Sequence, residues 1–409
     1  MWYMIKNKTD DSLWTPTYIS LITLGTLTST SFYMIHPTIS KYATLLGTSL
    51  GVAGIIAGLF SITALVGRPF GAVVVDRLNK KYVLSAATLV MGIASLGYSV
   101  AKSVILLIIC RIIHGLAFAV SGTATVALIS SIVSRKHLGE GIGYHGITHI
   151  IATALGPNIG IFIANKFGYN TNFLFAGILI IISSILITKI PYSQVTSSDL
   201  SYAENLSASG NNRRKISLDD LISFKVLPLA LIGGIFSFMN GIVNSFLILL
   251  GEERDIKNIG LYFTVVSICL FIVRPLSGKL SDSKGLAFIL YPAFLLVSLQ
   301  NILLAHATGL FVVLLAAVAK AFGQGSAQPA IQATCLKKLD PAKSGVAAAT
   351  YYIGADIGQG IGPMIGGAIS NAYGYKAMFY FCVLLVLLGC IGFTIYNRVT
   401  TSQNELTNG

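Results

Sequence analysis

The chain runs to 409 residues, of which 54% are hydrophobic and only 11% charged, with a mean hydropathy of +0.77. So apolar a composition excludes a soluble globular protein and a disordered one, and puts the chain in a bilayer. The formal net charge of +13 does not require a nucleic-acid partner, because the basic residues fall between apolar stretches, where they report membrane topology.

A helix crosses the hydrocarbon with roughly 20 apolar residues. Twelve stretches qualify as predicted spans: 18–38, 48–75, 82–101, 104–132, 139–165, 170–189, 224–250, 257–280, 286–306, 309–335, 344–371 and 376–396. The longest imply tilt, or ends that project beyond the membrane. The residues ahead of the first span, MWYMIKNKTDDSLWTP, are mildly polar and lack a small-residue cleavage site, so no cleavable signal is expected. The five cysteines, Cys110, Cys269, Cys335, Cys382 and Cys390, have no paired spacing and read as small core residues. The first span carries Ser29, Thr30, Tyr33 and His36, groups suited to an inward cargo wall, although hydrogen bonding between helices explains them nearly as well.

The loop after the second span reads GRPFGAVVVDRLNKKYVL, residues 67–84, with Asp76, Arg77, Lys80 and Lys81 about its turn. It resembles the signature loop of the major facilitator superfamily, in which a Gly four residues before an Asp-Arg pair is followed by a basic cluster. Ala72 stands where that Gly is usual, and Asn79 replaces the common Gly of the turn. The resemblance implies twelve helices in two pseudosymmetric six-helix bundles. It also implies a loop that latches the cytoplasmic face by charge contacts, with Asp76, Arg77, Lys80 and, in the second half, Asp282 as the gate. Physically, a carboxylate at a helix end can meet the positive N-terminus of a neighbouring helix or an Arg.

In the fourth span Arg111 stands within CRIIHGLAFA. A charge at mid-membrane costs about 2.5 to more than 10 kcal/mol unless it faces a partner or water, which makes Arg111 a coupling candidate. His114 follows one turn on, where the two can share a face and a proton network. Arg111, His114 and Gly115 also resemble a superfamily motif of an intramembrane Arg, a polar residue three on, then Gly. The fifth span contains GYHGITHIIATALGPNIG, similar to the motif associated with antiporters of the superfamily: Gly143, Gly156, Pro157 and Gly160 match, whereas Ala152 and Ile161 depart. Small residues let helices approach closely and proline frees backbone groups, so the segment makes a bend or a sliding seam; tight packing is the plainer account. His145 and His149 in the same span point the same way, but no acidic or Cys partner lies nearby in sequence. Titration or hydrogen bonding to cargo fits them better than a metal.

Residues 191–222 form the only long polar stretch inside the chain, rich in Ser and Asn, with the basic cluster Arg213, Arg214 and Lys215. They read as a linker between bundles at 1–190 and 223–409 that rests on anionic headgroups. Beyond the linker the chain repeats itself at an offset of 206 residues. Arg68, Pro69 and Asp76 recur as Arg274, Pro275 and Asp282; Gly156, Pro157 and Gly160 as Gly362, Pro363 and Gly366; Gly168, Tyr169 and Phe173 as Gly374, Tyr375 and Phe379. Six helices per copy return the chain to one side, so the halves are parallel repeats about an axis along the membrane normal. The seventh span adds Asn240 and Asn244 to the cargo wall. Arg68 and Arg274, present in both copies, read as bundle architecture or snorkelling. The ionisable residues that differ between copies are coupling candidates: Arg111 faces Ala317 in the alignment, His114 faces Lys320, and Asp356 faces Ile150. Asp356 lies ~18 Å into the eleventh span by the 1.5 Å rise, with its protonation set by apolar surroundings against a nearby cation. Lys320 is its candidate partner.

Counted against these spans, 18 basic residues fall on the side of the termini and 6 on the other, which places both termini in the cytoplasm. The expected protein is an all-α transporter in the cell membrane. The fifth-span motif and the Arg111 segment resemble the drug:proton antiporter branch of the superfamily, which implies export of a small, partly apolar compound driven by proton entry. No enzyme activity, cofactor, metal or nucleic acid is expected; cargo, protons and lipid are the expected partners of a monomer. No Walker-type loop points to direct use of ATP. A proton-coupled importer of a small nutrient shares the fold, and a nontransporting sensor or scaffold is the alternative of another class.

Overall fold

The computed structural model describes residues 12–134, 137–192, 223–339 and 344–408. The cluster Arg213, Arg214 and Lys215 lies outside the described residues, as do the side chains of Asp76 and Asp282 and the surroundings of Gly143. Helix is the only regular structure among the described residues: α1 (Pro16–Ile35), a short α2 (Ile39–Leu45), α3 (Leu50–Arg77), α4 (Lys80–Val100), α5 (Val104–Ile132), α6 (Leu138–Phe167), α7 (Tyr169–Thr188), α8 (Leu227–Glu253), α9 (Leu261–Lys284), α10 (Leu286–Ala305), α11 (Leu310–Lys337) and α12 (Ser344–Asn408).

Local chemistry sets several of the boundaries. Thr15, Ser49, Asn79 and Ser103 each accept a backbone N–H of the first turn, opening α1, α3, α4 and α5. Gly168 takes φ 91° between α6 and α7, and Gly374, at the repeat position, takes φ 79° and breaks α12 into two spans. Cations close other ends. Lys81 Nζ donates to the carbonyls of Thr188 and Ile190 at the end of α7, and Arg254 donates to those of Leu304, Ala305 and Ala307 at the end of α10.

Nine of these helices are long and apolar enough to cross a membrane, and α12 is long enough to cross twice about Gly374. The other two long helices, α1 and α9, are less apolar along their length; both contribute polar residues to the cavity described below, and the apolar part of α9 ends at Arg274. With them the chain crosses twelve times, as the apolar stretches predict. The first bundle comprises α1 to α7 and the second α8 to α12.

The bundles meet where α3 packs on α12 and α6 packs on α9. Glycines permit the first contact: a Cβ on Gly54 would overlap the Pro363 carbonyl oxygen, and one on Gly58 that of Gly360. Lys41 of α2 forms an ion pair with Glu252 of α8 across the same end of the molecule, opposite the termini.

Candidate functional site

A cavity of about 270 Å³ lies between the bundles. The first bundle lines it with Tyr33, His36, His149, Thr153 and Pro157, the second with Asn240, Asn244, Arg274, Lys320 and Gln324. Toward the end away from the termini it is closed by two polar ties between α6 and α9: Thr153 Oγ1 lies 3.2 Å from Ser267 Oγ, and Asn158 Nδ2 donates to Thr264 Oγ1 at 2.7 Å. Asn158 also borders an outer vestibule of about 740 Å³ with Lys166, Glu252 and Lys257. The ties therefore stand between vestibule and cavity.

The cargo-wall candidates Tyr33, His36, Asn240 and Asn244 share this cavity with His149 and Lys320. His145 does not; it lines a smaller space of about 80 Å³ inside the first bundle, with Ser29, Thr88, Ser121, Thr125 and His149. The two imidazoles lie edge to face, 5.6 Å between ring centroids, so His149 borders both spaces.

The expected pairing of Asp356 with Lys320 is overturned. Asp356 accepts two hydrogen bonds from Arg68, Nε to Oδ2 at 2.5 Å and Nη2 to Oδ1 at 3.1 Å, and the guanidinium lies 5.3 Å from the Tyr352 ring centroid. The glycine seam explains it: α3 runs close along α12 and delivers Arg68 to the carboxylate. Arg68 thus ties one bundle to the other, beyond the snorkelling or architectural part its duplication suggests. Lys320, on α11, turns instead to the cavity and to α8, where Nζ donates to Asn240 Oδ1 at 2.8 Å. Asn240 Nδ2 donates on to Gln359 Oε1 at 3.1 Å, one turn along α12 from Asp356. A polar chain therefore links the cavity lysine to the helix that carries the carboxylate.

Arg111 and His114 are fully buried inside the first bundle and do not line the cavity. Arg111 donates to the carbonyls of Ile56 at 3.1 Å and Ala57 at 2.8 Å and lies 4.9 Å from the Phe60 ring centroid. His114 Nδ1 meets the Tyr98 hydroxyl at 3.0 Å. The motif glycines pack within bundles: a Cβ on Gly156 would sit 2.6 Å from Tyr33 Cβ, one on Gly160 would overlap the Met34 carbonyl, and one on Gly362 that of Phe238. Pro157 faces the cavity, while the carbonyl of Pro363 faces Gly54. Arg77 and Lys80 sit at the junction of α3 and α4, at the termini end, away from the cavity.

Sequence reasoning passed over Gln324, Gln328 and Gln359, and read Arg274 as architecture or snorkelling where it lines the cavity. One signal was present, since Lys320, Gln324 and Gln328 recur every four residues and mark one polar stripe on an otherwise apolar helix.

The model of a family described as the Major Facilitator Superfamily matches residues 21–307 and 229–408. Among curated relatives, the multidrug resistance protein MdtG of Serratia proteamaculans is 26% identical over 379 residues, 89% of this chain and 90% of that protein. The multi-drug resistance efflux pump PmrA of Streptococcus pneumoniae is 26% identical over 370 residues, 88% of each chain. Among solved structures, a bacterial homolog of the human lysosomal transporter Spinster superposes with a TM-score of 0.76 at 14% identity, covering 93% of this chain and 96% of that one.

Proposed function

We propose that this chain, which belongs to the major facilitator superfamily, exports a small, partly apolar compound in exchange for protons. Kinship with a multidrug resistance protein and an efflux pump supports the exporting direction. The Arg68–Asp356 pair is the observation that carries the coupling, because it joins the two bodies that must rock apart. Arg68 lies nine residues from the end of α3 and Asp356 twelve from the start of α12, about 14 and 18 Å along axes that cross a core about 30 Å thick.

Protonation turns the Asp356 carboxylate, which accepts two charge-assisted hydrogen bonds, into a neutral acid that no longer holds Arg68. That loosens α3 from α12, and the Gln359–Asn240–Lys320 chain carries the shift of α12 to the cavity wall. With the termini in the cytoplasm, as the basic-residue asymmetry suggests, the polar ties between α6 and α9 close the outer side. The cavity then takes cargo from within, opens outward, and returns with a proton.

The test is Asp356→Asn in everted vesicles loaded with a fluorescent pH probe, where cargo uptake should release trapped protons. The variant should retain cargo exchange and lose proton-driven accumulation. Unchanged proton-driven accumulation would remove Asp356 from the mechanism, and cargo moving in the same direction as protons would refute export.

A further inference from the structure

Internal pseudosymmetry supplies two equivalent positions for an ion pair between bundles, and only one is filled from within the chain. At an offset of 206 residues, Arg68 of α3 corresponds to Arg274 of α9, and Asp356 of α12 to Ile150 of α6. The α3–α12 contact and the α6–α9 contact are the two symmetry-related junctions between bundles. Arg68 has its carboxylate. Arg274 faces a junction where that carboxylate is replaced by Ile150, and both residues line the central cavity.

No carboxylate lines that cavity among the described residues. The Arg274 guanidinium has no hydrogen bond or ion pair among them, its only side-chain bond being the one its backbone carbonyl accepts from Ser277 Oγ, and the Lys320 ammonium has one hydrogen bond, to Asn240, which leaves two of its three protons free to donate. Two further buried atoms of lining residues, His36 Nδ1 and Gln324 Oε1, have no hydrogen-bond partner among the described residues. Cations in a low-dielectric wall without counter-charge draw an anion, and a guanidinium favours one it can grip with its fork. Leu270, Val266, Phe263, Ile150 and Pro157 complete an apolar wall around them.

We propose that the cavity binds an organic anion, a compact apolar body bearing one carboxylate or phosphate-type group, and that this group sits beside Arg274 as the Asp356 carboxylate sits beside Arg68. The proposal rests on the cavity being the cargo site of the exporter and names the class of cargo it takes. Amines, which would face two cations with no counter-charge, are rejected.

The test is binding of three matched probes, 1-naphthoate, 1-naphthamide and 1-naphthylmethylamine, to the full chain in phosphatidylcholine nanodiscs. Naphthoate should bind at least roughly tenfold more tightly than the amide, as a desolvated charge pair allows, and the amine should not bind. Ile150→Asp should supply the missing carboxylate from within and abolish naphthoate binding, while Ile150→Asn should keep it. The ranking on the unaltered protein decides the matter even if a variant fails to fold. Amine or amide binding as tight as naphthoate, no naphthoate binding at millimolar concentration, or full affinity in a folded Ile150→Asp protein would overturn the proposal. Adding phosphatidylglycerol separates the sources of the anion: weaker naphthoate binding identifies a lipid headgroup as a competing occupant, and unchanged binding a soluble compound. Proton-driven flux of naphthoate tests export separately, since a probe that binds but is not pumped refutes the exporter and leaves the anion site standing.

Discussion

Arg111 directs two nitrogens at successive carbonyls of α3, those of Ile56 and Ala57, with its guanidinium against the Phe60 ring. A planar fork holds the two oxygens with two separate nitrogens in a fixed geometry, whereas an ammonium would have to serve both from one nitrogen on a flexible stem. That places Arg111 as a clamp between α5 and α3, with its charge met by backbone dipoles and an aromatic face rather than by a carboxylate. Arg111→Lys keeps the charge and loses the fork, and should lower stability by about 1.5–3 kcal/mol, the range for a charged hydrogen bond. A thermal melt in detergent measures it. If Arg111 were instead a coupling group, the same variant would melt like the parent and change only proton-driven flux. Asp356 behaves differently, because its partner belongs to the other bundle.

The first half of α12 has two glycine faces with different duties. Gly354, Gly358 and Gly362 meet the backbone of α8 within the bundle, whereas Gly360 and Gly367, with Pro363, meet α3 of the other bundle. One face is permanent packing and the other must part when the molecule opens. A methyl at Gly58 would land on the Gly360 carbonyl, while Gly122 has nothing within 4 Å of an added Cβ. Overpacking costs about 1–3 kcal/mol, so Gly58→Ala should raise the population open at the far end by a factor of roughly 5–150, and Gly122→Ala should not. Labelling of a cysteine at Ser267 by an impermeant maleimide from that side reads the population. The spans and their ends were legible in the chain, because apolar runs, caps and repeated glycines are local signals. The Lys320 stripe was legible in part. The partner of Asp356 was not, because it depends on which helix of one bundle faces which helix of the other, and no local period records that. The glycine run Gly51, Gly54 and Gly58 announces a close neighbour without naming it.

At the scale of the molecule, the two halves share the frame, with Arg68 and Arg274 as part of it, and differ in the remaining charges within the spans. Glycines and prolines recur at the fixed offset, so both bundles can roll on similar seams, while Asp356 and Lys320 occur once each. The end away from the termini is held shut by the Lys41–Glu252 pair and the two α6–α9 ties, all between bundles. Exposed ion pairs contribute about 0–1 kcal/mol and hydroxyl or amide ties within a membrane about 1 kcal/mol, so these polar ties are weak enough to be broken and remade in a transport cycle. Alternating access then requires Lys41 and Glu252 to separate in every cycle. Cysteines at these two positions, in a background lacking the five native cysteines, can be bridged by a short reducible cross-linker. Bridged protein should bind naphthoate from the termini side and transport nothing, and reduction should restore the rate. Full transport by the bridged protein would mean that this end never opens and that the bundles do not rock about the central cavity.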